Sequence, residues 1–174
     1  AALGAEKVSI EDRNLQVKIA QVTEDNKILA LGNKLISGAK AELEHELAML
    51  KVAEQIKEAK TGKKATPQEA FKSLKTETET RRTMVALELS SKLTAISMEY
   101  ALLDAQIALQ KQRAIDAGVY NKDTYDTITS LMAAGKESAI TGAINAATLA
   151  DQQITANVKT SERTSLDASR STTG

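Results

Sequence analysis

The sequence has no cysteine and no tryptophan, and only one proline, one phenylalanine and one histidine among 174 residues. Without cysteine there are no disulfide staples, thiolate nucleophiles or Cys-based zinc sites, and the redox compartment is left open. With Phe71 and three tyrosines as its only aromatics, the chain lacks the large rings that normally fill a compact core of this length. Long helical assemblies bury seams of Leu, Ile, Val and Ala instead, so the composition favours an elongated shape. Neither sign of charge dominates, with 23 basic and 23 acidic residues, so no overall field draws the chain to nucleic acid or anionic lipid. No apolar run approaches the ~20 residues needed to cross a bilayer, and the first residues lack a signal peptide's basic start and apolar stretch. The expectation is a soluble chain with no membrane-spanning segment. It begins at Ala1 and not Met, which leaves room for a segment upstream.

What is present is helical periodicity. Residues 10–59 read as one helix, with Ser9 and Asp12 offering a capping-box-like start. Leu15, Val22, Leu29, Ile36, Leu43 and Leu50 are each seven residues apart, which places them at one heptad position, d. The matching a positions are Ile19, Asn26, Asn33, Lys40 and Leu47, so the seam is apolar at its ends and polar in its middle. An asparagine at a selects register and oligomer number, because its amide is satisfied only opposite a suitable partner. The other reading is that Gly32, Asn33 and Gly38 mark a break between two shorter helices. Ile28, Leu31 and Leu35 lie on a different face, which calls for a further neighbour, either another copy or another segment of this chain.

Residues 60–66 read as a linker, because Thr61-Gly62 stops a helix and Pro67 cannot sit inside one. Thr66-Pro67-Gln68-Glu69 then combines an N-cap threonine, proline at the first helical position and glutamate at the third. From 67 to about 117 a second helix is predicted, about 75 Å long at 1.5 Å per residue. Its seam is Leu89, Leu93, Ile96, Tyr100, Leu103 and Ile107, and Thr76, Thr78, Thr80 and Thr83 make the stretch before it a weak point. Gly118 suits a helix C′ position, and Asn121 or Asp123 would cap the next helix. Residues 124–158 are rich in Ala, Thr and Gly, with Gly135, Ala139, Gly142 and Ala146 forming a small face that lets helices approach closely. The tail, 159–174, holds Leu166 as its only large apolar side chain and reads as disordered on its own.

A search for chemistry yields little. His45 is flanked by Glu44 and Glu46 and points away from the seam, which suits a solvated helix face. Glu42 and His45 make one Glu-x-x-His pair, whereas a di-metal bundle needs two, so the second would have to come from another copy. Lys57, Lys60, Lys63 and Lys64 form a basic cluster mixed with Glu54 and Glu58. With no aromatics interleaved for base stacking, nucleic-acid contact is expected to be at most non-specific. There is no phosphate loop and no Ser-His-Asp set, and Met84 and Met98 read as packing filler. No catalytic, cofactor-binding or metal residue is assigned.

The run Ala-Leu-Leu-Asp-Ala-Gln-Ile-Ala-Leu-Gln at 101–110 and the turn Gly118-Val119-Tyr120-Asn121-Lys122-Asp123 resemble helical segments of virion proteins from tailed bacteriophages, of the tape-measure or internal ejection type. The resemblance extends in style over residues 10–158, as Ala-rich helix poor in Cys and aromatics. It implies a homo-oligomer in a tail or portal channel, in contact with other virion proteins and located in the virion. The short hairpin plan departs from a single extended repeat. The expectation is therefore an all-α chain of elongated helices with coiled-coil seams: an N-terminal coiled-coil helix within 1–59, a linker at 60–66, a helical hairpin at 67–158 turning at 118–123, and a Ser/Thr-rich tail at 159–174. Its role is expected to be structural and self-associating. The same composition would also serve a cellular coiled-coil adaptor or a secretion-machinery component.

Overall fold

The computed structural model describes residues 8–173, apart from the side chains at 165 and 168–173. Residues 1–7 of the expected N-terminal segment and residue 174 of the expected tail lie outside the described residues. The chain is all-α, with three long helices: α1 (Ile10–Thr61), α2 (Pro67–Asp116) and α3 (Lys122–Thr173).

The ends of the helices follow from their capping residues. The Ser9 hydroxyl accepts the Asp12 amide at 3.0 Å, and the Thr66 hydroxyl accepts the Glu69 amide at 3.2 Å, so both predicted caps form. Gly62 closes α1 at φ 62°, its amide donating to the Glu58 carbonyl at 2.8 Å. At the end of α2, Gly118 (φ 73°) donates to Ile115 at 3.1 Å and Val119 to Ala114 at 2.9 Å. This crossed pair of bonds ends a helix on a left-handed glycine. Of the two cap candidates for α3 it is Asn121 that acts, its side-chain oxygen accepting the amides of Asp123 and Thr124 at 3.0 and 3.4 Å.

Two places where the sequence leaves room for a break are continuous helix. α1 passes unbroken through Gly32, Asn33 and Gly38. The threonine-rich stretch of α2 is also helical: Thr76, Thr80 and Thr83 each turn their hydroxyl onto the carbonyl four residues back at 2.9–3.1 Å, which occupies the competing polar group locally. The Ser/Thr-rich 159–173 segment, expected to be disordered on its own, continues α3. There Thr160 and Thr164 make the same bond, each at 3.0 Å, and Leu166 faces a groove beside α2.

The described residues divide into two compact units, each taking a piece of every helix: those within Ala1–Lys34 and Lys92–Gly142, and those within Leu35–Ser91 and Ala143–Gly174. Antiparallel helices make their contacts by proximity in space, so these units cut across the stretches that sequence alone marks out. In the first unit the start of α1 pairs with the end of α2, as Asp12 with Arg113 and Asn26 with Met98. In the second the end of α1 pairs with the start of α2, as Lys57 with Glu69 and Lys40 with Glu88. α3 packs on α2 in both, through Gly135 at Tyr100 in the first and Asp151 at Arg82 in the second. Burial is shallow: among the described residues Ala105, Leu109 and Ala143 are the buried apolar ones, and no large side chain is completely enclosed.

Candidate interaction surface

The heptad reading of α1 is visible in its burial. Leu15, Ile19, Val22, Asn26 and Asn33 in the first unit, and Ile36, Lys40, Leu43, Leu47 and Leu50 in the second, are all half-buried while their neighbours along the helix are mostly exposed. Leu29 alone breaks the row, at 43% exposed in the layer between the two asparagines. On α2, Leu93, Ile96, Tyr100, Leu103 and Ile107 in the first unit and Leu89 in the second are likewise half-buried.

The sequence assigns these seams to a second copy; in the structure they face helices of the same chain. The five-residue connection, 62–66, explains the change, because a short loop makes successive helices antiparallel neighbours. Asn26 shows the consequence. Its side-chain amide donates to the Met98 carbonyl of α2 at 3.0 Å, so this polar layer sets the register of an intramolecular pair.

The first unit carries a polar lock at one end. Asp12, only 4% exposed, occupies the a position one heptad before Ile19. It accepts Arg113 Nε at 3.0 Å and Gln16 Nε2 at 2.6 Å. Ser9 donates to Asp116 at 2.6 Å, and Gln112 donates to the other oxygen of Asp116 at 3.0 Å. Farther along, a Cβ added to Gly135 would lie 2.8 Å from the Tyr100 hydroxyl, so this glycine makes room for the ring. The small face of α3 is turned from the one the sequence suggests. Gly135 and Ala139 are half-buried and Ala143 is buried, but Gly142 and Ala146 are exposed. Spacings of four follow the α-helical ridge; the three-residue step to Gly142 drifts off it.

In the second unit a groove of about 580 Å³ is lined by Phe71, Leu74, Pro67 and Leu166 together with Glu54, Glu77 and Glu162. Ser73 donates to Glu54 beside it. Phe71 is 61% exposed although it is the chain's one phenylalanine. Sequence reasoning passes over this groove; the available signal is that the lone Phe and the tail's lone large apolar residue both fall outside any seam. The basic cluster beside it is mixed in charge, with Lys57 held by Glu69 at 3.1 Å. Glu42, Glu44, His45 and Glu46 are all exposed on α1. Among the described residues no group of three or more His, Asp or Glu is placed to hold a metal.

The outer face of α1 stays uncovered. Leu35, Met49, Val52 and Ile56 are exposed, Leu35 at 77% and Met49 at 53%, and so are Ile28 and Leu31. These occupy heptad positions c and f, and Met49, Val52 and Ile56 repeat the spacing of Ile28, Leu31 and Leu35 three heptads later. The extra neighbour that this face calls for is not another segment of the described chain. No described helix is long and apolar enough to cross a membrane. Comparison with protein-family models, curated proteins and solved structures returned no match.

Proposed function

We propose that this chain is a non-catalytic structural protein that works by self-association, and that it serves as a component of a phage particle, in the tail, tape-measure or ejection apparatus. The observation that supports self-association is the distribution of apolar side chains. Large ones stand exposed in register along the outer face of α1, while no large side chain among the described residues is completely enclosed. Each fully buried Leu or Ile contributes about 1.5–3 kcal/mol, so a fold that leaves a row of them in water is completed by covering them. The phage assignment rests on the likeness of residues 101–110 and 118–123 to virion helices. Other virion proteins are then its natural neighbours, and contact with DNA is non-specific.

Sedimentation velocity of the purified chain over a wide concentration range tests the first part. Discrete oligomers are expected, and a monomer throughout would overturn it. The gene neighbourhood tests the second: capsid, portal and tail genes alongside are expected, whereas secretion genes would move the chain to a cellular assembly.

A further inference from the structure

We infer that the exposed face of α1 in the second unit is a docking surface for the same face of a second copy, with the two helices antiparallel. The inference deepens the self-association reading and rests on it. The seam first expected to hold copies together is occupied by α2, so association must use another face. The c and f positions lie nearly opposite a and d on the helical wheel, and on this stretch they are Leu35, Gly38, Glu42, His45, Met49 and Val52, all exposed.

This row is self-complementary in one register. In antiparallel pairs each layer sets one core position of a helix against the other core position of its partner, here c against f. With the two-fold axis between residues 43 and 44, Leu35 meets Val52 of the second copy, Gly38 meets Met49 and Glu42 meets His45. The same three layers repeat on the other side of the axis. The first layer is apolar on apolar. In the second the longest side chain fills the space left by a glycine, the small-against-large alternation that lets layers interdigitate. In the third an imidazole N–H donates to a carboxylate, twice, reciprocally, as two-fold symmetry requires. Flanking positions are small where helices must come close: Ala41 falls opposite Ala48.

Competing registers fail on the same residues. Slipping by one heptad sets Leu35 against His45, or in the other direction Val52 against Glu42. A parallel in-register pair sets Glu42 against Glu42. Each of these leaves an apolar group facing a polar one or brings like charges together, which is how a pairing excludes its alternatives.

Because the chain has no cysteine, introduced thiols are the only ones present. Leu35→Cys and Val52→Cys chains, distinguished by a mass tag, are to be mixed and treated with a short thiol-to-thiol linker. The mixed product is expected to exceed either homodimer several-fold. Homodimers in excess would mean a parallel pair and overturn the proposal. Association seen by light scattering without any crosslink would also overturn it, while leaving self-association standing; a lasting monomer would remove both. A charge exchange gives a second test. Glu42→Lys is expected to weaken the dimer about tenfold. Adding His45→Glu on the same chain should restore it, since the introduced ammonium of one copy then meets the introduced carboxylate of the other across the axis. Both residues are exposed, so helicity by circular dichroism should be unchanged. A double variant as weak as the single would overturn the assigned layer.

Discussion

The two units are built from the same three helices and hold together differently. Among the described residues the first contains three of the four that are buried, Asp12, Ala105 and Leu109. Its helices are tied by contacts that need close approach: the hydrogen bonds of Asn26 to a backbone carbonyl and of Arg113 to Asp12, and the packing of Tyr100 against Gly135. The second is joined by pairs that are largely solvated, Lys40 with Glu88, Lys57 with Glu69 and Arg82 with Asp151. Every residue from 51 to 72 is exposed there. Surface ion pairs contribute about 0–1 kcal/mol each, so that unit rests mainly on its half-buried apolar side chains and on the buried Ala143. The difference lies in how the helices are tied, by partly buried polar contacts in the first unit and by solvated ion pairs in the second, while both leave large apolar side chains exposed.

The largest expected break in this contrast is Leu109→Ala. A buried leucine truncated in place should cost about 2–4 kcal/mol, read as a lower urea midpoint, whereas Leu50→Ala at a half-buried seam position of the second unit should cost clearly less. Equal losses would dissolve the distinction. Next comes a pair of glycines on α3. Gly135→Leu drives a side chain into the space of the Tyr100 ring and should cost about 1–3 kcal/mol. Gly142→Ala, where an added Cβ meets nothing within 4 Å, should instead stabilise by about 0.5–1 kcal/mol; thermal melts of both read the opposite signs.

Asp12→Ala should lose about 1–2 kcal/mol. It removes a buried charge-assisted hydrogen bond, but the cost is moderated because the Arg113 side chain stays 57% exposed and is rehydrated. Hydrogen exchange at the start of α1 and the end of α2 should rise together in this variant, and a rise confined to α1 would mean the pair ties nothing across. Thr66→Ala removes the cap of α2 and should cost about 1 kcal/mol, seen as faster exchange at Glu69 and Ala70. Smallest is Arg82→Ala, expected to change stability by less than about 0.5 kcal/mol despite its contacts with Asp151 and Thr155. A melt shifted as far as that of Asp12→Ala would show the second unit to be locked as firmly as the first.

Much of this was legible beforehand because helix signals are local. The caps at Ser9 and Thr66, the stops at Gly62 and Gly118, and the a and d stripe of α1 each depend on residues within one or two turns. The uncovered flank at Ile28, Leu31 and Leu35 is legible too, and Met49, Val52 and Ile56 repeat its spacing three heptads later. What could not be read was who covers what. A heptad stripe specifies that a helix will be met, and the chemistry of Leu, Ile and Asn is the same whether the partner is a second copy or the next helix. The turn of α3 that sets Ala143 inward and Gly142 outward was equally hidden, since both residues are small and the choice depends on where α2 lies.

The sequence by itself determined the first two long helices, their caps and stops and the inner stripe of α1, and the existence of a third helix but not its continuation to Thr173, because hydrogen bonding and periodicity act within a few residues. Tertiary structure alone decided that the seams close on the chain itself, that Asn26 finds its partner at Met98, and that the face around Glu42 and His45 is left outward. Those depend on contacts between residues some seventy positions apart, whose proximity is set by how antiparallel helices pack and by no local pattern.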